Sequence, residues 1–309
     1  MIGGFLNKNL FLKKRKLINH KKKISLNGRS SLSIILKYKG IKKLLIPYYI
    51  CDVVLDTLSK LGIKYKFYKL NSNLKPNYDD FKKNQEYSVL LLPYFGVIKL
   101  RKLKNCIFDL STSFFYPKDN IYYFDSIRKF FFVNLGSNLN QEAFTTFHQP
   151  KNKQLTFKVP RRYSEFLNNE KRHVISNYNY AKKISKDYFF IDFKKVKEKR
   201  EKNFLFFFNQ LSSTNKIKIS INQVCGPLYY PYLCDGGNLL REYLINQKIF
   251  VPRYWSEILK RTDISSFRFE KYLCKNLVLL PVDERLNITN LKAILEKLKK
   301  FDKKTFPIC

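Results

Sequence analysis

Residues 105–131 read NCIFDLSTSFFYPKDNIYYFDSIRKFF, and two short apolar runs within them decide the fold. The first run, NCIFD, places Asp109 at its end; the second, IYYFDS, is followed three residues on by Lys129. Runs of this length bounded by turn residues are the pattern of buried strands. An acid and an amine are thus offered at the mouths of two neighbouring strands.

Outward from this stretch, residues 26–125 alternate helical and strand patterns. Leu32, Ile35 and Leu36 share one face of a helix that should begin near Ser30 and end at Gly40. KKLLIP then reads as a buried strand. Val54, Leu58 and Leu61 mark a second helix closed by Gly62, and KYKFYKL supplies the next strand. YSVLLLPYF, a short helix near Ile98 to Leu103, NCIFD and IYYFDS continue the alternation. Strands alternating with helices predict an α/β fold with a mainly parallel sheet covered on both faces. In such sheets ligands bind beyond the carboxyl ends of the strands, where Asp109 and Lys129 fall.

Residues 138–202 are polar, basic and weakly periodic, and read as excursions and the passage to a second unit. Beyond them KIKISINQVCGPLYYPYL resembles a strand region, and GNLLREYLINQKI a helix. NITNLKAILEKLKKF is a helix with Leu291, Ile294, Leu295 and Leu298 on one face. The expected division is a large domain over 1–170 and a small α/β domain over 171–309.

Composition narrows the function classes. The formal charge is +36, and thirteen Lys and Arg precede the first acid, Asp52. Such a field attracts polyanions, but Lys, Asn, Ile, Phe and Tyr are abundant together, as AT-rich coding would give, and no nucleic-acid motif accompanies the charge. No specific nucleic-acid partner is therefore expected. The longest uncharged apolar stretch, Ser88 to Ile98, is too short for a membrane span, and the basic, weakly apolar start does not resemble a secretory signal. A soluble, cytoplasmic protein is the expectation. Six cysteines form no CxxC pair, and His20, His148 and His173 are scattered, which argues for reduced thiols and against zinc.

Three segments carry candidate chemistry. In LNGRSSLSIIL, Gly28 precedes Arg29, Ser30 and Ser31 at a helix start, where N–H groups, hydroxyls and the helix dipole could cradle a phosphate; a plain helix cap uses the same residues. Asp109 precedes the small residues Ser111, Thr112 and Ser113, and an ionised carboxylate there could pair with a protonated ring nitrogen; a turn former is the ordinary alternative. Lys129 lies among aromatic residues beside Arg128, which favours the neutral amine that attacks an aldehyde. A ligand with a phosphate, a basic ring nitrogen and an aldehyde would answer all three. Pyridoxal phosphate is such a ligand.

MIGGF, KKISLNGRSSL, IPYYICDVVLDTL, YFG, IFDLSTSFF, DSIRKFF, VPRYW and LLPVDERL, in this order, resemble the DegT/DnrJ/StrS family of sugar aminotransferases. Within it they more closely resemble a poorly characterised branch that begins with an IGG segment and carries an SxRKFF-like lysine motif. The resemblance covers nearly the whole chain. It implies the type I fold of pyridoxal phosphate (PLP)-dependent transferases, with a large three-layer αβα domain and a small C-terminal α/β domain. It also implies that Lys129 carries pyridoxal 5'-phosphate, that Asp109 partners the pyridine nitrogen, and that Ser30, Ser31 and Ser126 are ligands of the phosphate. Thr112 would stand near the ring hydroxyl, and Asn177 would face a neighbouring subunit's cofactor in a homodimer. The implied partners are a nucleotide-linked keto sugar and an amino-acid donor such as glutamate, and the product an amino sugar for a surface polysaccharide.

Departures from the family pattern are specific. Thr112 stands where Gln or His is usual, NLGSN replaces a glycine-rich turn and keeps only Gly136, and Cys51 occupies a position often held by a ring-stacking aromatic. Trp255, the single tryptophan, suits either a substrate wall or a core. Two rival readings follow: an inactive relative kept as a scaffold, and a basic polyanion-binding protein resting on charge alone.

Overall fold

In a computed structural model the chain is described over residues 2–4, 6–15, 23–144, 179–182, 184–262 and 266–305. Five parallel strands form the main sheet: β1 (Lys43–Pro47), β2 (Lys64–Tyr68), β3 (Ser88–Leu91), β4 (Cys106–Leu110) and β5 (Tyr122–Asp125). Their order is β2-β1-β3-β4-β5. The register pairs Asp109 with Phe124 and Leu110 with Asp125. In β4 all five residues are buried, which is why this strand reads as continuous rather than alternating. The parallel α/β architecture expected from the sequence is the one observed.

Helix α1 (Gly28–Tyr38) has every residue from Arg29 to Leu36 buried, so it is embedded rather than laid on a surface by a single face. Its cap is Asn27, whose side chain accepts from Ser30 N at 2.9 Å, and the helix starts at Gly28 rather than near Ser30. Helices α2 (Asp52–Lys60) and α3 (Tyr78–Lys82) follow β1 and β2. The helix expected near Ile98 to Leu103 does not form. Tyr116 Oη sits 3.0 Å from Leu100 N and 3.2 Å from Leu100 O, and Gln223 accepts from Lys99 N, so tertiary partners satisfy this backbone.

A second unit is built on the antiparallel pair β6 (Tyr229–Leu233) and β7 (Leu277–Pro281). Around it lie α4 (Phe193–Leu211), α5 (Gly237–Asn246), α6 (Arg268–Asn276) and α7 (Ile288–Thr305). Helix α4 begins within the segment expected to be irregular, because its first turns are dominated by Lys and Glu; Val196, Arg200, Phe204 and Phe207 supply the buried face. The expected boundary at residue 170 lies outside the described residues.

The first residues of the chain rest on this second unit. Ile2 bridges Ile249 in parallel, Gly3 packs on Pro281 with φ +76°, and Arg285 Nη2 donates to Gly4 O at 3.1 Å. Among the described residues the cysteines are free and no helix is long and apolar enough to cross a membrane.

Candidate active site

Asp109 and Lys129 converge because β4 and β5 are adjacent and parallel. Asp109 is the penultimate residue of β4, and Lys129 closes a short 3-10 turn, Ile127–Lys129, just past the end of β5. The Asp109 side chain is almost fully buried, and its Oδ1 accepts from Ser111 N at 2.8 Å. Burial pushes this carboxyl above its ordinary value, opposed by the Lys129 charge and the Ser111 hydrogen bonds. Lys129 Nζ donates to Ser111 Oγ at 3.4 Å. Acid, hydroxyl and amine therefore form one continuous cluster.

Two further residues reach this cluster from elsewhere in the chain. The Lys129 ammonium lies over the Tyr254 ring, 5.4 Å from its centroid. Cys51 caps the start of α2 and its thiol is pushed up to about 12, first by burial, with the Lys129 charge opposing and Asp109 adding to the rise. Cys51 follows IPYYI and stands, by sequence, in place of a ring-stacking aromatic, whereas Tyr254 lies within VPRYW but is not singled out there as a neighbour of Lys129. Ser111 was visible only as a member of a small-residue cluster.

Thr112 is buried and its Oγ1 accepts from Phe95 N at 3.3 Å. That bond supports a turn in which Phe95 takes φ +55° and Gly96 φ +74°. Phe95 in turn packs edge-on against Tyr254, with ring centroids 5.7 Å apart. Trp255 packs on Tyr49 at 4.8 Å and Tyr94 at 6.0 Å, so it joins an aromatic cluster beside the site. Tyr48 stacks on Phe267 at 4.1 Å.

The start of α1 abuts the carboxyl end of β5: a Cβ added at Gly28 would lie 3.6 Å from the Phe124 ring and 3.7 Å from Asp125 O. This juxtaposes Ser126 with the α1 N-terminus. The Ser30 hydroxyl donates to Asn27 Oδ1 at 3.1 Å. The Ser31 hydroxyl lies 2.5 Å from Ser25 Oγ and 2.7 Å from Ser137 Oγ, in a buried chain of hydroxyls. Gly136, the remnant of the glycine turn, accepts from Ile127 N and donates to Leu26 O. Its φ of +125° suits glycine, and a Cβ there would meet the tips of Ile127 and Ile184 at 2.9 Å. Asn177 lies outside the described residues.

The buried Asp125 carboxylate is gripped by Asn138 N at 2.7 Å and pairs with Lys118 at 3.1 Å. Tyr188 Oη accepts from Asn138 Nδ2 at 3.1 Å. This network fixes the strand end from which the Lys129 turn departs.

Comparison with solved structures follows from this architecture. A DegT/DnrJ/EryC1/StrS aminotransferase from Brucella abortus is similar over 90% of this chain and 85% of its own, with a TM-score of 0.65 and 12% identity. A candidate sugar aminotransferase of Streptococcus pneumoniae in its PMP form aligns over 91% and 88%, with a TM-score of 0.65 and 11% identity. The fold is that of the type I PLP-dependent transferases. Helicobacter pylori PseC, an aminotransferase involved in the biosynthesis of pseudoaminic acid, covers 95% of this chain and 99% of its own at a TM-score of 0.58 and 11% identity. No family model and no curated protein matches the sequence.

Proposed function

We propose that the protein is a PLP-dependent aminotransferase that converts a keto sugar, carried on a nucleotide, to an amino sugar for surface polysaccharide synthesis. The observation that carries this reading is the approach of Lys129 to buried Asp109 at the carboxyl ends of β4 and β5. The shared fold with sugar aminotransferases and the PMP form of one of those structures support it. The reading includes a homodimer, glutamate or a similar amino acid as donor, and a cofactor-binding unit over 1–170 with a small domain over 171–309.

The residues present fit the cofactor. A buried carboxylate held above its ordinary range by desolvation gains from a cationic partner, and a protonated pyridine nitrogen is one. Lys129 would hold the aldehyde carbon, while Ser126, Ser30 and the α1 N-terminus would take the phosphate. Ser31 would contribute through its hydroxyl chain and Thr112 through a hydrogen bond to the ring hydroxyl. Bound pyridoxal phosphate supplies an electron sink for a carbanion next to nitrogen. Asp109 would keep that sink effective by holding the ring nitrogen cationic. Lys129, once displaced by the donor amine, would move the proton at the substrate carbon as general base. Tyr254 and its aromatic neighbours would exclude water from that amine.

Incubation with pyridoxal phosphate should give a visible band that borohydride fixes onto Lys129, and Lys129→Ala should abolish it. Added glutamate should then bleach the band as the cofactor is converted to its amine form. Absence of any band at saturating cofactor would overturn the proposal.

A further inference from the structure

Arg200 is 1% exposed on the inner face of α4 and pairs with Glu284, equally buried, at 2.8 Å. Its Nη2 also donates to Phe130 O at 3.3 Å and its Nη1 to Pro227 O at 3.4 Å. The guanidinium lies over the Phe130 ring, 5.1 Å from its centroid. Phe130 is the residue after Lys129. One side chain thus joins the lysine turn, the entry to β6 and the turn after β7.

This pair is not required to dock the helix. Val196, Phe204, Phe207 and Leu211 bury α4, and Asn203 ties it to the carbonyls of Val282 and Asp283. Buried ion pairs can often be replaced by apolar residues without loss of stability, because desolvation offsets their attraction. Nor is this one saturated, since Arg200 Nε has no hydrogen-bond partner. What an apolar replacement could not supply is a fixed donor to the Phe130 carbonyl. The Lys129 turn spans three residues, too short to hold its own orientation, and is fixed from outside. Gly136 holds it on the Ile127 side, and Arg200 holds it on the Phe130 side.

We propose that Arg200, held by Glu284, is a positioning residue for Lys129; this rests on the reading of Lys129 as the cofactor-bearing amine. By tying the lysine turn to the second unit it aims Nζ toward Asp109 and Ser111. It does so without touching the reacting atoms.

The test compares wild type, Arg200→Met/Glu284→Gln, Arg200→Lys and, as a destabilised control far from the turn, Leu291→Ala. Two readouts are taken: reductive methylation of Lys129 in the cofactor-free protein, normalised to exposed lysines, and borohydride-fixed attachment of pyridoxal phosphate at limiting cofactor. Mispositioning by about 1 Å can cost up to about a hundredfold, so a change of roughly tenfold in both readouts is expected for the double variant. Arg200→Lys keeps the charge without the fork and should fall between; it decides the matter if the double variant does not fold. Leu291→Ala should match wild type in both. Values within twofold of wild type in the Arg200 variants, or an equal change in Leu291→Ala, would overturn the proposal. If wild type takes no cofactor at Lys129 the functional reading fails, and the methylation comparison still judges Arg200.

Discussion

The Thr112 hydroxyl has a structural duty that is independent of any ligand. It is the acceptor for Phe95 N–H, in a buried turn whose backbone is held at φ +55°. Thr112→Val should therefore destabilise the fold by about 1–3 kcal/mol, the cost of an orphaned buried donor, as measured by urea unfolding. Thr112→Ser should recover most of that loss. Cys51 yields a prediction of opposite character, a lack of reactivity. With its thiol pushed up to about 12 by burial, it stays protonated at pH 8, and its alkylation by iodoacetamide should be slower by more than about a hundredfold than in the unfolded chain. Mass spectrometry of the labelled peptide checks this. Asp109 and Lys129 were legible because each ends an apolar run. The contacts of Tyr254, Cys51 and Arg200 were not, because their partners lie in distant segments that only the folded chain brings near.

At the scale of elements, the strands were easiest to read where both faces are covered. β1 and β4 are almost wholly buried and stand out as apolar runs against polar turns. Local pattern failed where distant side chains take over the backbone, as Tyr116 and Gln223 do around Lys99 and Leu100. It failed again at α4, whose charged outer face masks the spacing of Val196, Arg200, Asn203 and Phe207. Helix α5 is set by a contact with no sequence signature at all. A Cβ at Gly237 would lie 1.8 Å from Asn276 O, so the helix start and the end of α6 meet backbone to backbone. Gly237→Ala should cost about 1–3 kcal/mol, the range for overpacking, and appear as a lower urea midpoint. Gly236→Ala, whose added Cβ meets open space, should cost less despite its φ of +66°.

Across the whole molecule, buried tyrosines set an alkaline limit. Tyr49, Tyr68 and Tyr94 are all raised well above 10.0, each chiefly by burial. In the unfolded chain they ionise near their ordinary value, whereas in the folded chain they remain neutral. Their stabilising contribution is complete below pH 10 and is lost as the pH rises above it. The part of the tyrosinate absorbance that belongs to these buried rings should therefore rise only in the cooperative transition that abolishes far-ultraviolet dichroism. Complete ionisation of the tyrosines with the fold intact would contradict this.

The seat of residues 2–4 on the second unit also orders events in time. Synthesis delivers this segment well before its partners Ile249, Pro281 and Arg285, with all five strands of the parallel sheet coming in between. The sheet can assemble on the nascent chain while residues 2–4 wait. They can take their seat only once Arg285 has left the ribosome.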